Sequence, residues 1–320
     1  MTAQTQSDAA GSAPDLILLG NLLVDDIVLR DGTTWIGEPG GAILHAALAA
    51  RLWGARVALV SVVGDDYPPA TLQSFTERGI DLAGVRKLGR PGGRAWLLHE
   101  ARIRRVLHHL DCPTHSEISP TFDDIPAEYW GAKAIHLAPM PIARQHDIAA
   151  RVAERAAVTS TPGPFVSLDP YELVRDDNLE QWSHVLECVD AFFPSEDEMR
   201  ITGDVEPAMR RIAGPRMRFV ALKRGVNGGH LLDLRSGKTQ SWTAQPQAAV
   251  DVTGAGDAFV GGFLAGLCCD KSTELAIQQG IVAASFAIED WGARGLLAAT
   301  PEQAHGRWHN WFGAHLGLSV

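Results

Sequence analysis

Residues 250–266 read VDVTGAGDAFVGGFLAG. The turn Gly254-Ala255-Gly256-Asp257 is followed by an apolar stretch with small residues at helical spacing, so the turn is expected to open a helix. Glycine permits a sharp turn and a close backbone approach to a ligand. Free N–H groups at a helix start, reinforced by the helix dipole, hold a phosphate or a developing oxyanion. A carboxylate such as Asp257 beside that anion hole can accept the proton of an attacking hydroxyl. The same residue types also suit an ordinary helix start with Asp in the first turn, so the segment alone supports capping as well as chemistry. It is not a dinucleotide fingerprint, because GAGDAF lacks the third glycine of G-x-G-x-x-G. Nor is it a Walker A loop, because no Gly-Lys-Ser/Thr ending follows.

Outward from this segment, short apolar runs recur at 15–20 (DLILLG), 56–62 (RVALVSV), 134–138 (AIHLA), 165–169 (FVSLD), 191–193 and 218–223 (RFVALK). Helical patterns lie between most of them, at 41–53, 142–157, 179–188 and 195–201. Strands apolar throughout, alternating with helices, predict an α/β fold of three layers, a mainly parallel sheet covered on both faces. Ligands in such sheets sit beyond the carboxyl ends of the strands. Two stretches interrupt the alternation. Residues 27–35 (IVLRDGTTW) carry an Asp-Gly turn between β-type residues, and 93–110 (GRAWLLHEARIRRVLHHL) reads as two strands around 100–102. Together, near 26–36 and 94–110, they predict a small β lid on a single domain spanning 14–320, with a disordered tail over 1–13.

The bulk properties narrow the function. With 320 residues, 46% hydrophobic and 21% charged, the chain can bury a large core. A formal charge of -10 argues against a nucleic-acid partner, which requires phosphates to be neutralised by Lys and Arg. The four cysteines show neither metal spacing nor a disulfide framework, which fits a reducing cytoplasm. Cys268 and Cys269 end an apolar helical run and read as core. No long apolar run suggests a membrane span.

Taken whole, DVTGAGDAFVGGFLAGL resembles the carboxy-terminal signature of the ribokinase-like (PfkB) carbohydrate kinases, D-T-x-G-A-G-D before a small-residue helix, with Val252 in place of Thr. Gly40-Gly41, Trp53-Gly54-Ala55 and the run ending Gly64-Asp65-Asp66 resemble the family's first signature. Leu18-Leu19-Gly20 leading to Asp25-Asp26 resembles its first strand and sugar-binding Asp. Residues 193–203 (FPSEDEMRITG) resemble its P-N-x-x-E segment, and 222–229 (LKRGVNGG) its late nucleotide-loop strand. The landmarks run in family order over about residues 15 to 300.

The resemblance implies an ATP- and Mg2+-dependent kinase acting on a hydroxyl of a small sugar or sugar-like substrate. Asp257 matches the base, and Gly254, Ala255 and Gly256 match the anion hole. Asp25, Gly40 and Gly41 match residues that hold substrate hydroxyls. Ser195, Glu198, Lys223, Gly225 and Gly228 match the ATP side, Glu198 positioning Mg2+ through water. Asp251 and Thr253 match a loop that also binds a monovalent cation such as K+ in many relatives. A homodimer is a candidate assembly.

Two positions depart from the pattern. Ser195 replaces the family's Asn, and His45 stands where an Asn substrate contact is usual, either as a contact or as a satisfied polar residue near the cleft. The short stretch from Asp25 to Gly40 is more like that of cyclitol and nucleoside kinases than of ribose kinases. A nucleoside or cyclitol acceptor is therefore an alternative. So is a catalytically idle sugar- or nucleotide-binding regulator, which would not need the base. Arg102, Arg104 and Arg105 read as a solvated strand face, and His108 and His109 as surface residues on opposite sides of a strand. Trp308 and Trp311 read as packing in a terminal helix.

Overall fold

The computed structural model describes residues 13–100, 104–159, 163–245 and 247–313. Residues 1–12 of the expected tail, and Arg102 of the lid, lie outside the described residues. One sheet of nine strands runs in the order Lys238–Trp242, Gly229–Asp233, Phe219–Lys223, Ala191–Phe192, Phe165–Leu168, Ala134–Leu137, Leu16–Leu19, Val57–Val63, Asp81–Lys87. Pairing is parallel from Phe219–Lys223 to Asp81–Lys87. It is antiparallel in the hairpin at the other edge.

The first strand shows why both faces are covered. Its four residues, Leu16 to Leu19, are all fully buried. Side chains alternate across a strand, so Leu16 and Leu18 join one core while Ile17 and Leu19 join a second. The first core lies against the helices Ala42–Leu52, Ala255–Cys268 and Thr273–Ala287. The second lies against Ile142–Thr159, Leu179–Leu186 and Val205–Arg211. Trp308 and Trp311, on the helix Pro301–Phe312, pack partly buried against the first core. All four cysteines are free. Cys268 is buried as expected, whereas Cys269, just past the helix, is exposed.

Glycine decides how closely the helices Ala42–Leu52 and Ala255–Cys268 meet. A Cβ built at Gly261 would lie 2.1 Å from the Ala46 carbonyl oxygen, so here the two backbones touch. Only a hydrogen in place of a side chain permits that approach.

The lid is a four-stranded sheet in the order Thr34–Gly40, Leu23–Val28, Arg94–His99, Arg104–His108. The expected Asp-Gly turn joins the first two, with Gly32 at φ 88 and the Asp31 carboxylate accepting from the Thr33 N–H at 2.9 Å. Asp26 fastens the lid from within. Arg94 donates to both of its oxygens at 2.7 Å, and the Gly37 N–H donates at 2.8 Å. The lid is docked on the body by the Glu38–Arg294 pair, whose shortest bond is 2.6 Å, and by Trp35 at 5.3 Å from Trp291.

Two expectations are corrected. Residues 195–201 do not form a helix. The Ser195 N–H donates to Glu198 Oε2 at 2.7 Å, and the Glu198 N–H donates to Ser195 Oγ at 3.2 Å. This reciprocal cap is complete within one turn, after which Met199–Arg200 extends and pairs with Val174–Arg175. His108 is exposed as expected, but His109 is half-buried rather than a free surface residue. His109 stacks on Trp96 at 4.7 Å with Nε2 3.1 Å from Asp26, and His108 Nε2 lies 3.3 Å from His115 Nε2.

Gly261→Ala should lower unfolding free energy by about 1–3 kcal/mol, because a backbone must move to admit the methyl. Gly306→Ala, on an exposed helix position with nothing within 4 Å of the added carbon, should raise it by about 0.5–1 kcal/mol. Urea unfolding of the two variants beside the unmutated protein checks the opposite signs.

Candidate active site

The carboxyl ends of the parallel strands deliver Asp169, after Phe165–Leu168, and Lys223, at the end of Phe219–Lys223. Facing them is the start of the helix Ala255–Cys268. Gly254 caps it in the left-handed region at φ 74, a conformation that favours glycine. A Cβ at Gly256 would lie 3.4 Å from Lys223 Nζ, so the ammonium rests against the turn that carries Asp257.

Lys223 Nζ donates to Asp169 Oδ1 at 2.7 Å. Asp169 Oδ2 is buried without a hydrogen-bond partner among the described residues, 3.8 Å from His136 Nε2. Burial works to lower the lysine's pKa. The carboxylates of Asp169, Glu198 and Asp257 outweigh it and hold the group above its ordinary value. Burial raises the Asp169 carboxyl, against the pull of Lys223 and with added push from Asp257 and Glu198. One ammonium is thus shared among three carboxylates. Beneath them, burial and Lys223 push His136 down to about 3, leaving it a neutral imidazole 3.0 Å from Ser167 Oγ.

Ser195 bridges Lys223 in the sheet, and the Glu196 N–H donates to the Lys223 carbonyl at 2.8 Å. The turn carrying Glu198 is therefore held beside the lysine. Gly225 and Gly228 form the connection to the next strand at φ 51 and 76. A Cβ at Gly228 would lie 1.9 Å from the Trp242 carbonyl oxygen. Both glycines answer a demand of this turn.

The stretch around Gly40 and Gly41 is built with the same closeness. Gly41, at φ 108, opens the helix Ala42–Leu52, and a Cβ there would lie 2.2 Å from the Asn21 carbonyl oxygen. At Gly40 a Cβ would lie 2.1 Å from Asp25 Oδ2. His45 is 2% exposed, with Nδ1 3.2 Å from the Gly41 carbonyl oxygen. Its ring lies directly under Gly254, whose added Cβ would stand 2.1 Å from His45 Cδ2. The histidine is a wedge between two helix starts, and its Nε2 has no partner among the described residues.

Asp25 and Asp26 are neighbours on one strand with opposite electrostatics. Burial pushes Asp25 up to about 7; Arg104 opposes this, while Asp251 and Asp26 add to it. Burial also works to raise Asp26, but Arg94 and the Gly37 N–H outweigh it and lower its pKa.

Asp251 spends both oxygens on the protein. Oδ1 accepts from the Thr253 N–H at 2.9 Å and from the Thr253 hydroxyl at 2.7 Å, and Oδ2 accepts from the Gly292 N–H at 3.0 Å. Arg104 Nη1 donates to Thr253 Oγ1 at 2.6 Å. Arg104 lies on an exposed strand face as expected, and its guanidinium also reaches from the lid to the residue before Gly254.

Between lid and body lies a cleft of about 690 Å³, lined among others by Asn21, Gly41, Val106, His108, His115 and Tyr171. A second, of about 680 Å³, is bordered by Asp190 and Gly214 and sits at the amino ends of the strands, away from the groups above.

Asp169, Arg104, His115 and Tyr171 are the residues that sequence reasoning did not single out for the site. Asp169 ended an expected strand, and that position was the available signal. The reach of Arg104 across 149 positions of chain has no local signature.

These groups are those a phosphoryl-transferring enzyme requires: an anion-binding helix start, an ammonium, and carboxylates on either side. Over residues 23–299 the chain matches the model of the pfkB family carbohydrate kinases, and it belongs to that family. It catalyses ATP-dependent transfer of a phosphoryl group to a sugar-like substrate. A cytidine kinase of Thermococcus kodakarensis is 31% identical over 87% of this chain and 97% of its own. Among solved structures, a ribokinase of Giardia lamblia superposes with TM-score 0.75 at 16% identity, covering 94% of this chain and all of its own. An E. coli protein described as a ribokinase II in complex with ATP and Mg2+ gives TM-score 0.74 at 18% identity, covering 92% and 98%. Among the described residues, no helix is long and apolar enough to cross a membrane.

The raised pKa of Asp25 has a measurable consequence. Between the ordinary value of 3.8 and about 7 the folded protein keeps a proton that the unfolded chain releases. Asp25 therefore contributes stability that is full below the ordinary value and lost as pH rises through 7. Thermal unfolding at roughly pH 5 and pH 8 should show the unmutated protein losing more of its advantage over Asp25→Asn at the higher pH. A constant difference contradicts the buried, protonated state.

Proposed function

We propose that Asp257 is the general base of this transfer and that the N–H groups of Gly254, Ala255 and Gly256 hold the phosphoryl group in flight. The observation that carries the reading is the Lys223 ammonium lying against Gly256 at the same helix start as Asp257. The acceptor hydroxyl, held by Asp25 and the backbone at Gly40 and Gly41, would point at that start. As its oxygen bonds to the γ-phosphorus, the bond from phosphorus to the ADP oxygen breaks and the hydroxyl proton passes to Asp257. Positioning and charge stabilisation dominate such steps. ATP would lie along Ser195, Glu198, Lys223, Gly225 and Gly228.

The carboxylate of Glu198, held beside Lys223 by the turn at Ser195, fits a hydrated Mg2+ beside the phosphates, and bound there the ion would supply positive charge against the phosphate oxygens. Asp251, whose oxygens accept from Thr253 and Gly292, reads as the clasp of the anion-hole loop, and Asp251 and Thr253 are the residues that a monovalent cation would meet there.

Asp257→Asn keeps the shape and loses the proton acceptor, so turnover should fall about 10²- to 10⁴-fold with the KM for ATP nearly unchanged. Steady-state ADP release checks this, and turnover within threefold of the unmutated protein removes Asp257 from the role. Asp25→Ala should raise the acceptor KM about tenfold or more and leave that for ATP in place. Equal effects on both substrates would instead mean general damage.

A further inference from the structure

The lid strand Arg104–His108 lays one face across the cleft. Alternation places Arg104, Val106 and His108 on the same side. Arg104 reaches Thr253 beside the anion hole, while Val106 and His108 line the cleft. At about 3.3 Å per residue, Arg104 to His108 spans roughly 13 Å, more than a monosaccharide ring fills. The cleft at the Val106 and His108 end is by itself about 690 Å³, within the range of about 300–1,000 Å³ that encloses small ligands.

The far end of this span is ringed by flat groups. His115 lies 4.8 Å from His108, nearly perpendicular at 80°, and 4.8 Å from Tyr171, tilted by 36°. Tyr171 is 43% exposed, so part of its face is open. Their hydrogen bonds run in one direction. The Asn21 NH2 donates to His115 Nδ1 at 3.3 Å, so the proton of this ring sits on Nε2, which donates to His108 Nε2 at 3.3 Å. Burial and His108 keep His115 below its ordinary pKa, in keeping with a neutral ring. The arrangement leaves Asn21 Oδ1 buried with no partner among the described residues, although Asn21 lines the cleft.

We infer that the acceptor is a nucleoside, its sugar hydroxyl at Asp257 and its planar base laid against Val106, His108, His115 and Tyr171. This rests on the phosphotransfer reading above and names its acceptor. Planar rings stack on aromatic faces with little regard to sequence, so the cleft selects for a base before it selects among bases.

The test is ADP release from ATP and Mg2+ by the full chain, over adenosine, cytidine, guanosine and uridine, each beside free ribose, fructose and myo-inositol. At least one nucleoside should exceed free ribose at least a hundredfold in kcat/KM. Tyr171→Ala should raise the KM for that nucleoside at least tenfold while moving that for ATP less than twofold. Calorimetric titration of the same nucleoside without ATP should show the same loss of affinity. A free sugar or myo-inositol used as well as any nucleoside overturns the acceptor assignment and leaves the phosphotransfer reading standing. No ADP release with any acceptor overturns both.

Discussion

The site depends on two helices meeting backbone to backbone. Ala42–Leu52 and Ala255–Cys268 approach until a glycine at 261 faces the carbonyl of Ala46, with no side chain between. Because they meet this closely on one face of the sheet, their amino ends, Gly41 and Gly254, both lie against His45. His45 fills the remaining wedge. Each helix start offers unpaired N–H groups, and the field of each dipole favours negative charge there. A larger residue at any of these contacts would part the two starts.

The second constraint is electrostatic. The chain is acidic overall, and its site gathers Asp169, Glu198 and Asp257 around Lys223. Such a cluster is costly to bury, and the lysine stays charged because three carboxylates outweigh its desolvation. Asp25 and Asp26 show the same balance from the other side. Successive side chains face opposite ways along a strand, so one carboxylate meets Arg94 and the other meets the buried floor of the cleft. Adjacent positions with identical chemistry thus have their pKa values pushed in opposite directions.

The parallel sheet was legible because its strands are buried on both faces and so read as unbroken apolar runs. The helix start at Gly254 was legible because small residues must cluster where backbones touch. The lid was placed from one Asp-Gly turn and two β-type runs. The turn at Ser195 was misread as a helix, because the Ser-x-x-Glu pattern that completes a single turn is also a helix-opening pattern. Asp169 and Arg104 were out of reach for a different reason. Each acts on a partner far along the chain, at Lys223 and Thr253, and only the sheet order and the lid's closure bring them together. His45, readable as a contact or a packed polar group, proved to be packed under Gly254, a placement set by helix crossing.

The strand Arg104–His108 is exposed along its whole length and pairs with the lid on one side only. Substitutions there disturb little packing, whereas those around Gly254 and Gly261 force a backbone to move. The molecule thus sets its glycine-dependent helix contacts where change is expensive and this lid strand where change is cheap. A lineage carrying this scaffold can vary the lid strand freely while the helix contacts around Gly254 and Gly261 stay untouched.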